Sequence, residues 1–461
     1  MKPLSKSSMI PAQELHRLAH EALNRQDFEH CAKYCYTQLR AANEPYCLQD
    51  EITLDCIYML LFIHDIYNQQ CHLPFTEKWT RHDLFSLAET YYTKKISLDT
   101  HIKLKVLKGK YLANTQSSEA AILAIQDAVI LAENSCTPYI KALALAELGH
   151  KTMKISLKHG RELIQQAHDI LHQSPVSHEL SLENQRHIHF ISSIHGVCEF
   201  DFGNYEAAMK HLSKVYESSL HLGIKFDISI FCNYLAQVHI SLGDYETAES
   251  LLLSCLEYFI PEKTPHAWNA NNRALLGKVY MEWGKYDKAR EHLITGWKES
   301  RLARSLPLIT LVRNYYAEFL LQRESSPSKQ NISLAEEILQ ENISEAHQAG
   351  IYRSEILSLS LMGQISLSRN DFDAAKKYSQ SAIDMLIHMG WLPALRAQEI
   401  YMNHYTVAIS CGDMEQEKYW LSEAYNVVMS IARRILDDTR RLSFLNRVKI
   451  NEMIVHKYME T

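Results

Sequence analysis

The sequence predicts an all-α fold, a right-handed superhelical solenoid of about ten antiparallel helix pairs closed by a C-terminal capping helix. Three observations carry that expectation. Gly203, Tyr205 and Ala208 return as Gly243, Tyr245 and Ala248, then as Gly284, Tyr286 and Ala289, at steps of 40 and 41 residues. Only 14 Gly and 11 Pro are spread over 461 residues, too few for strands joined by frequent tight turns. Leu, Ala, Ile, Glu, Gln and Lys are abundant, and most are good helix formers.

In chain order, residues 1–180 carry the pattern faintly. "LNRQDFEHCAKYC" aligns with the later "LSRNDFDAAKKYS", which puts Phe28 and Cys31 in the Tyr and Ala places. "QQCHLPFTEKWTRHDL", residues 69–84, reads as an irregular connection. Residues 98–113 with 117–133, and 138–156 with 159–173, read as helical hairpins without the signature. From 181 to 435 the repeats are clear. Seven residues before each turn Gly stands a small residue, Gly196, Ala236 or Gly277, where a second helix can cross closely. Helical apolar spacing then continues through Leu212, Leu252 and Leu293. The unit is helix, tight turn, helix, with the Gly permitting the turn and the Tyr packing back. A fourth copy has Gly363, Asn370 in place of the turn Gly, Phe372 and Ala375; Asn tolerates a left-handed backbone better than most residues. A fifth keeps Gly412 but has Met414 and Glu417. Between the third and fourth copies, in the 86-residue gap from Gly277 to Gly363, a missing unit falls on Ala317 and Ala335, its turn lengthened by "ESSPSKQN". Residues 436–461 read as the cap, covering the edge of the last pair through Leu442, Phe444, Leu445, Val448 and Ile454. No Pro- or Ser-rich linker divides the chain, so one continuous array is expected.

The small residue, the Gly-x-Tyr turn and the following Ala resemble the tetratricopeptide repeat. The steps of 40 to 43 residues exceed that repeat's usual period of about 34, which reads as longer helices. Such long-helix variants resemble the sensor arrays of bacterial signal-transduction ATPases and the peptide-sensing regulators of Gram-positive bacteria. The segment with Arg441, Ser443, Phe444, Leu445 and Asn451 resembles one that closes the repeat array of bacterial multidomain ATPases and cyclases.

A net charge of −6 gives no electrostatic reason to expect nucleic acid or an acidic membrane as partner. The longest apolar run, "CIYMLLFI", falls far short of the roughly 18 residues of a membrane span. The start lacks a secretory apolar stretch, and ten irregularly spaced Cys read as reduced thiols, so a cytoplasmic location is expected. His187 and His195 share a helix face but stand about 12 Å apart along it, too far for one metal. His195 and Cys198 could share a metal at i, i+3, but two more ligands would have to come from another helix, so packing is the expected role; His189 points elsewhere. Cys31 and Cys35 read as buried small hydrophobes. The basic run Arg433, Arg434, Arg440, Arg441, Arg447 and Lys449 contains Asp437 and Asp438, which reads as a salt-laced face. No phosphate loop, nucleophile elbow or metalloprotease motif occurs, so neither an enzyme nor a bound cofactor or metal is expected.

The function expected is a protein- or peptide-binding scaffold in signalling or regulation, using the concave groove of the array. The alternative is a ligand-sensing module that controls a partner ATPase or transcription factor in trans. The inward positions of the first helix of each pair are Asn233 and Gln237, Asn271 with Ala274 and Lys278, Asn314 and Glu318, and Ser360 and Gln364. Amides there can pair with a peptide backbone of any sequence. As residues of an open surface, Asn233, Asn314 and Gln364 are expected to tolerate joint replacement by Ala with little loss of stability.

Overall fold

A computed structural model describes residues 10–41, 50–66, 79–91, 97–135, 137–173, 181–258, 267–302, 305–322, 327–390 and 395–460. Among these residues the secondary structure is 22 α-helices and no strand. The chain forms two compact units, residues 1–68, 72–148 and 165–191 in one and 69–71, 149–164 and 192–461 in the other.

The first seven helices are α1 (Ala12–Asn24), α2 (Phe28–Ala41), α3 (Asp50–Ile66), α4 (Arg81–Glu89), α5 (Leu98–Thr115), α6 (Ser118–Ala132) and α7 (Pro138–Thr152). Then come α8 (Leu157–Gln173) and α9 (Leu182–Asp201). In the first unit α3 is the centre: α1, α2, α4 and α5 all pack on it. The apolar run noted in the sequence supplies its fully buried Ile57, Met59, Leu60 and Ile63. The faint first repeat is real in its turn, because Gln26 has φ 61°, as Asn370 has φ 60° in the later copy. The irregular connection needs correction at its end. Thr80 and Asp83 form a reciprocal capping box that starts α4 at Arg81; residues 69–78 lie outside the described residues.

The second unit continues with α10 (Tyr205–Leu222), α11 (Lys225–Ser241), α12 (Tyr245–Glu257), α13 (Ala267–Glu282), α14 (Tyr286–Ser300) and α15 (Leu306–Gln322). It ends with α16 (Lys329–Ala349), α17 (Tyr352–Ser368), α18 (Phe372–Met389), α19 (Ala397–Ser410), α20 (Met414–Ala432), α21 (Asp438–Asn446) and α22 (Lys449–Glu460). This is the expected helix-turn-helix repeat. Gly203, Gly243, Gly284 and Gly412 all turn with positive φ. The crossing of α13 and α14 is close, since a Cβ on Gly277 would stand 2.5 Å from Leu293 Cγ. Ala317 and Ala335 of the divergent pair are fully buried, as the missing unit requires.

Helices α11, α13, α15, α17 and α19 stack on one another as an inner layer, with α12, α14, α16, α18 and α20 each packed on an inner helix. Burial separates the layers: α11 buries 11 of its 17 residues, whereas α12 buries five of 13.

The C-terminal segment does more than cap. Helix α22 packs on α19 and α20, burying Ile454. Helix α21 runs back across earlier turns, where Phe444 lies 6.1 Å from the Tyr205 ring and the Tyr245 hydroxyl donates to the Arg447 carbonyl at 3.1 Å. This cover accompanies the burial of Tyr205 and Tyr245, whereas the equivalent Phe372 is 43 % exposed. Two of the expected capping residues behave otherwise: Leu442 is exposed and Leu445 half-buried. Asn451 is fully buried, donating to the Phe444 carbonyl at 2.9 Å and accepting from Gln398 at 3.1 Å. It fastens α21 to α22 and α22 to α19.

Candidate functional site

The inner layer of the second unit gathers the residues singled out as groove positions, but not as an open wet face. Asn233, Asn271, Lys278, Asn314, Glu318 and Ser360 are buried, and Gln237 and Gln364 are half-buried. A polar group in this position needs a partner, and most find one in the next repeat. Asn272 donates to the Ser229 carbonyl at 3.0 Å and accepts from Asn233 at 2.7 Å, and Gln237 donates to Asn233 at 2.7 Å. Two repeats on, Asn342 donates to the Thr310 carbonyl at 3.0 Å and to Asn314 at 3.2 Å. Asn314 itself donates to the Ser354 carbonyl at 3.0 Å. Next, Gln364 donates to the Asn403 carbonyl at 3.0 Å, and Asn403 donates to Ser360 at 2.9 Å. Asn233, Asn314, Gln364 and Asn403 thus tie repeat to repeat, while Asn342 joins α16 to α15.

Asn271 is different. It is 1 % exposed, yet neither its amide nitrogen nor its oxygen has a hydrogen-bond partner within the chain. Leaving such a group unpaired costs about 1–3 kcal/mol. On the same face of α13, Trp268 lies one turn before it and Lys278 two turns after. Trp268 belongs to an apolar cluster with Leu308 and the half-buried Phe226, Ile230, Tyr234 and Ile309. Lys278 belongs to a buried ionic cluster. It pairs with Glu318 and, at 3.0 Å, with Glu282, which also takes Arg396 at 2.6 Å; Glu399 lies 3.9 Å from that arginine. Arg396 is held by a left-handed backbone, φ 54°, at the start of α19. A second pair, half-buried Arg353 with buried Asp201 at 2.9 Å, joins the start of α17 to the end of α9.

Charge within the ionic cluster is uneven. Burial, set against the attraction of Lys278 and joined by the repulsion of Glu399 and Glu282, pushes Glu318 up to about 7. Glu282 is pushed up by burial, but Arg396 and Lys278 outweigh that and hold it down at about 2. The lysine and arginine are both raised, by the carboxylates around them and against burial. The inner face therefore runs from an apolar end, past one unpaired amide, to an ionic end.

Sequence reasoning placed Asn271, Lys278 and Glu318 on one surface but missed Arg396, Glu282, Glu399, Arg353 and Asp201. The Arg396–Glu282 pair spans 114 residues, a separation no repeat pattern encodes. Of the other sequence candidates, His195 packs against His211 with ring centroids 4.6 Å apart, its ring nitrogen close to those of His168 and His211. His187 packs edge-on to Phe62 at 6.1 Å and stacks on Tyr139 at 6.5 Å. Burial first, then Lys103, Lys110 and Arg186, hold it well below the usual histidine range. Cys31 and Cys35 are fully buried. In the basic run, Arg447 pairs with Glu246 at 2.7 Å, Arg441 with Asp438, and Arg434 donates to the Phe202 carbonyl.

An all-α array of helix pairs stacked in two layers is the architecture of a helical-repeat solenoid. Residues 228–294, from α11 to α14, match the tetratricopeptide repeat family model. NprR in complex with its cognate peptide NprX has a similar fold, with a TM-score of 0.53 at 13% identity over 81% of this chain and 99% of that one. A Rap protein complexed with Competence and Sporulation Factor gives 0.52 at 10% identity over 78% and 97% of the two chains. The apo quorum sensor NprR from B. thuringiensis gives 0.50 at 15% identity over 81% and 98%. At these identities the likeness is one of fold. No curated protein matches this chain in sequence. No helix among the described residues is long and apolar enough to cross a membrane.

Proposed function

We propose that this chain is a non-enzymatic, cytoplasmic regulatory scaffold that binds a peptide, or a peptide segment of a partner protein, along the inner helices of its second unit. The observation that carries the reading is Asn271, a buried amide with both its donor and its acceptor unused. An extended peptide backbone offers the matching acceptor and donor at once. The Trp268 cluster would take an apolar side chain of the ligand, and the cluster around Lys278, Glu318 and Arg396 a charged or strongly polar group. Asn233, Gln237, Asn314, Ser360 and Gln364 support the site by holding the repeats in register. Two proteins of similar fold are complexed, one with its cognate peptide NprX and one with Competence and Sporulation Factor, which supports the same reading.

The test is selection of peptides from a displayed random library against the full chain, followed by titration of a selected peptide. Asn271→Ala is expected to weaken binding at least tenfold, about 1.4 kcal/mol. A library that yields no binder, or binders indifferent to Asn271→Ala, contradicts the proposal.

The alternative of a ligand sensor acting on a partner in trans draws on the Arg353–Asp201 and Arg396–Glu282 pairs. A ligand that competes for either arginine would loosen contacts between repeats far apart in the chain. A fall in melting cooperativity on adding the selected peptide would favour it over a rigid scaffold.

A further inference from the structure

The first unit holds a second feature, independent of the peptide site. His16 and His20 stand four residues apart on α1, so both rings leave the same face of the helix. Asp55 on α3 meets them there. One carboxylate oxygen, Oδ2, lies 2.8 Å from His16 Nε2 and 2.7 Å from His20 Nε2, and the two nitrogens are 3.1 Å apart. The imidazole rings stand at 89° to one another.

Hydrogen bonding alone does not satisfy this triangle. With Asp55 ionised and both Nε2 atoms protonated, two N–H groups face each other across 3.1 Å. With only one protonated, the other ring turns a lone pair on the carboxylate oxygen. Each arrangement leaves one edge repulsive. A cation above the triangle takes a lone pair from all three atoms and removes the conflict.

We propose that His16, His20 and Asp55 form a site for one divalent transition-metal ion of the zinc type. Two imidazoles and a carboxylate are the ligand set of three-ligand zinc sites, and they exclude magnesium and calcium, which prefer oxygen alone. Bonds of 2.0–2.1 Å place ligand atoms of a tetrahedral site about 3.3 Å apart, so each edge opens by a few tenths of an ångström on loading. A cation at that distance from all three stands about 1.2 Å out of their plane. The side chains keep 27 %, 39 % and 16 % of their exposure, which leaves the fourth position open to water or an exogenous ligand. The ion would fasten α1 to α3 through bonds that neither helix makes alone.

Cobalt(II) is the probe, because its visible d–d bands report coordination number and its near-ultraviolet charge-transfer band reports thiolate. The full chain, stripped with a chelator and kept reduced, is titrated with Co2+. The expected result is one equivalent bound with the bands of a four-coordinate ion and no thiolate band, displaced by Zn2+ and untouched by excess Mg2+. His16→Ala and His20→Ala are each expected to abolish the bands while circular dichroism shows the helices retained. X-ray absorption of the zinc-loaded wild-type chain is the second measurement, which needs no variant: two imidazoles and only N or O ligands are expected. Absence of stoichiometric binding, bands that survive either substitution, or sulfur ligands at the metal would overturn the proposal.

Discussion

At the scale of single residues, Asn271 is where stability and function should part. Its side chain is buried without an internal partner, so an apolar residue of similar size removes a cost instead of adding one. Asn271→Leu is therefore expected to raise stability by about 1–2 kcal/mol, read as a higher denaturant midpoint, while peptide binding is lost. A lower midpoint would show that the amide is satisfied in the free chain. The turn glycines give a second contrast. Gly412 has φ 72° with nothing near an added Cβ, so Gly412→Ala should cost only left-handed strain, about 1–2 kcal/mol. Gly243 has φ 74° and also lies under α21, where a Cβ would stand 3.0 Å from Arg447 Cβ and 3.1 Å from the Ser443 carbonyl. Gly243→Ala should exceed Gly412→Ala by at least about 1 kcal/mol, and equal costs in chemical denaturation would contradict the placing of α21. The left-handed turns were legible in the sequence, since Gly and Asn exchange there. That Gly243 also needs its small size was not, because the group above it comes 200 residues later.

Between elements, the amide ladder decides how the inner helices hold together. Asn342→Ala strips donors from the Thr310 carbonyl, Asn314 and Ser358 in a fully buried place, so it should cost about 2–4 kcal/mol. Joint replacement of Asn233, Asn314 and Gln364 is no longer expected to be silent; it should lower the melting temperature by several degrees at least. Periodicity put these residues on one face of the inner helices. It could not show the face to be covered, because the covering groups are the neighbouring repeat's own carbonyls and hydroxyls. The ionic cluster spans α13, α15 and α19 and should make stability depend on pH. With its folded pKa near 7 and its ordinary value of 4.5, Glu318 keeps a proton in the folded chain that the unfolded chain has lost. Its contribution therefore falls as pH rises through that window. Glu318→Gln has no such titration, so its stability relative to wild type should improve between about pH 5 and pH 7.5, by at most about 1.4 kcal/mol per pH unit. Parallel pH profiles for the two proteins would show Glu318 to be ionised throughout.

Across the whole molecule, the helix-turn-helix repeat of the second unit followed from short-range spacing, whereas its closure did not. The sequence marked the last residues as a cap, and α22 is one. The return of α21 over the turns at Tyr205 and Tyr245 depends on Phe444 and Arg447 meeting residues some 200 positions earlier, which no local pattern encodes. A chain truncated after Leu436 should thus lose cover at those turns as well as at the last pair, and should melt lower and aggregate. Full stability in a monomeric truncated chain would deny α21 this role. The central claim is that a peptide seats against the inner helices, and the most direct measurement is amide hydrogen exchange by mass spectrometry, with and without a selected peptide. Added protection is expected in segments from α11, α13 and α15, around residues 226–237, 268–282 and 308–322, and is expected to vanish with Asn271→Ala. Protection confined to α12, α14 and α16, or to the chain ends, would contradict it.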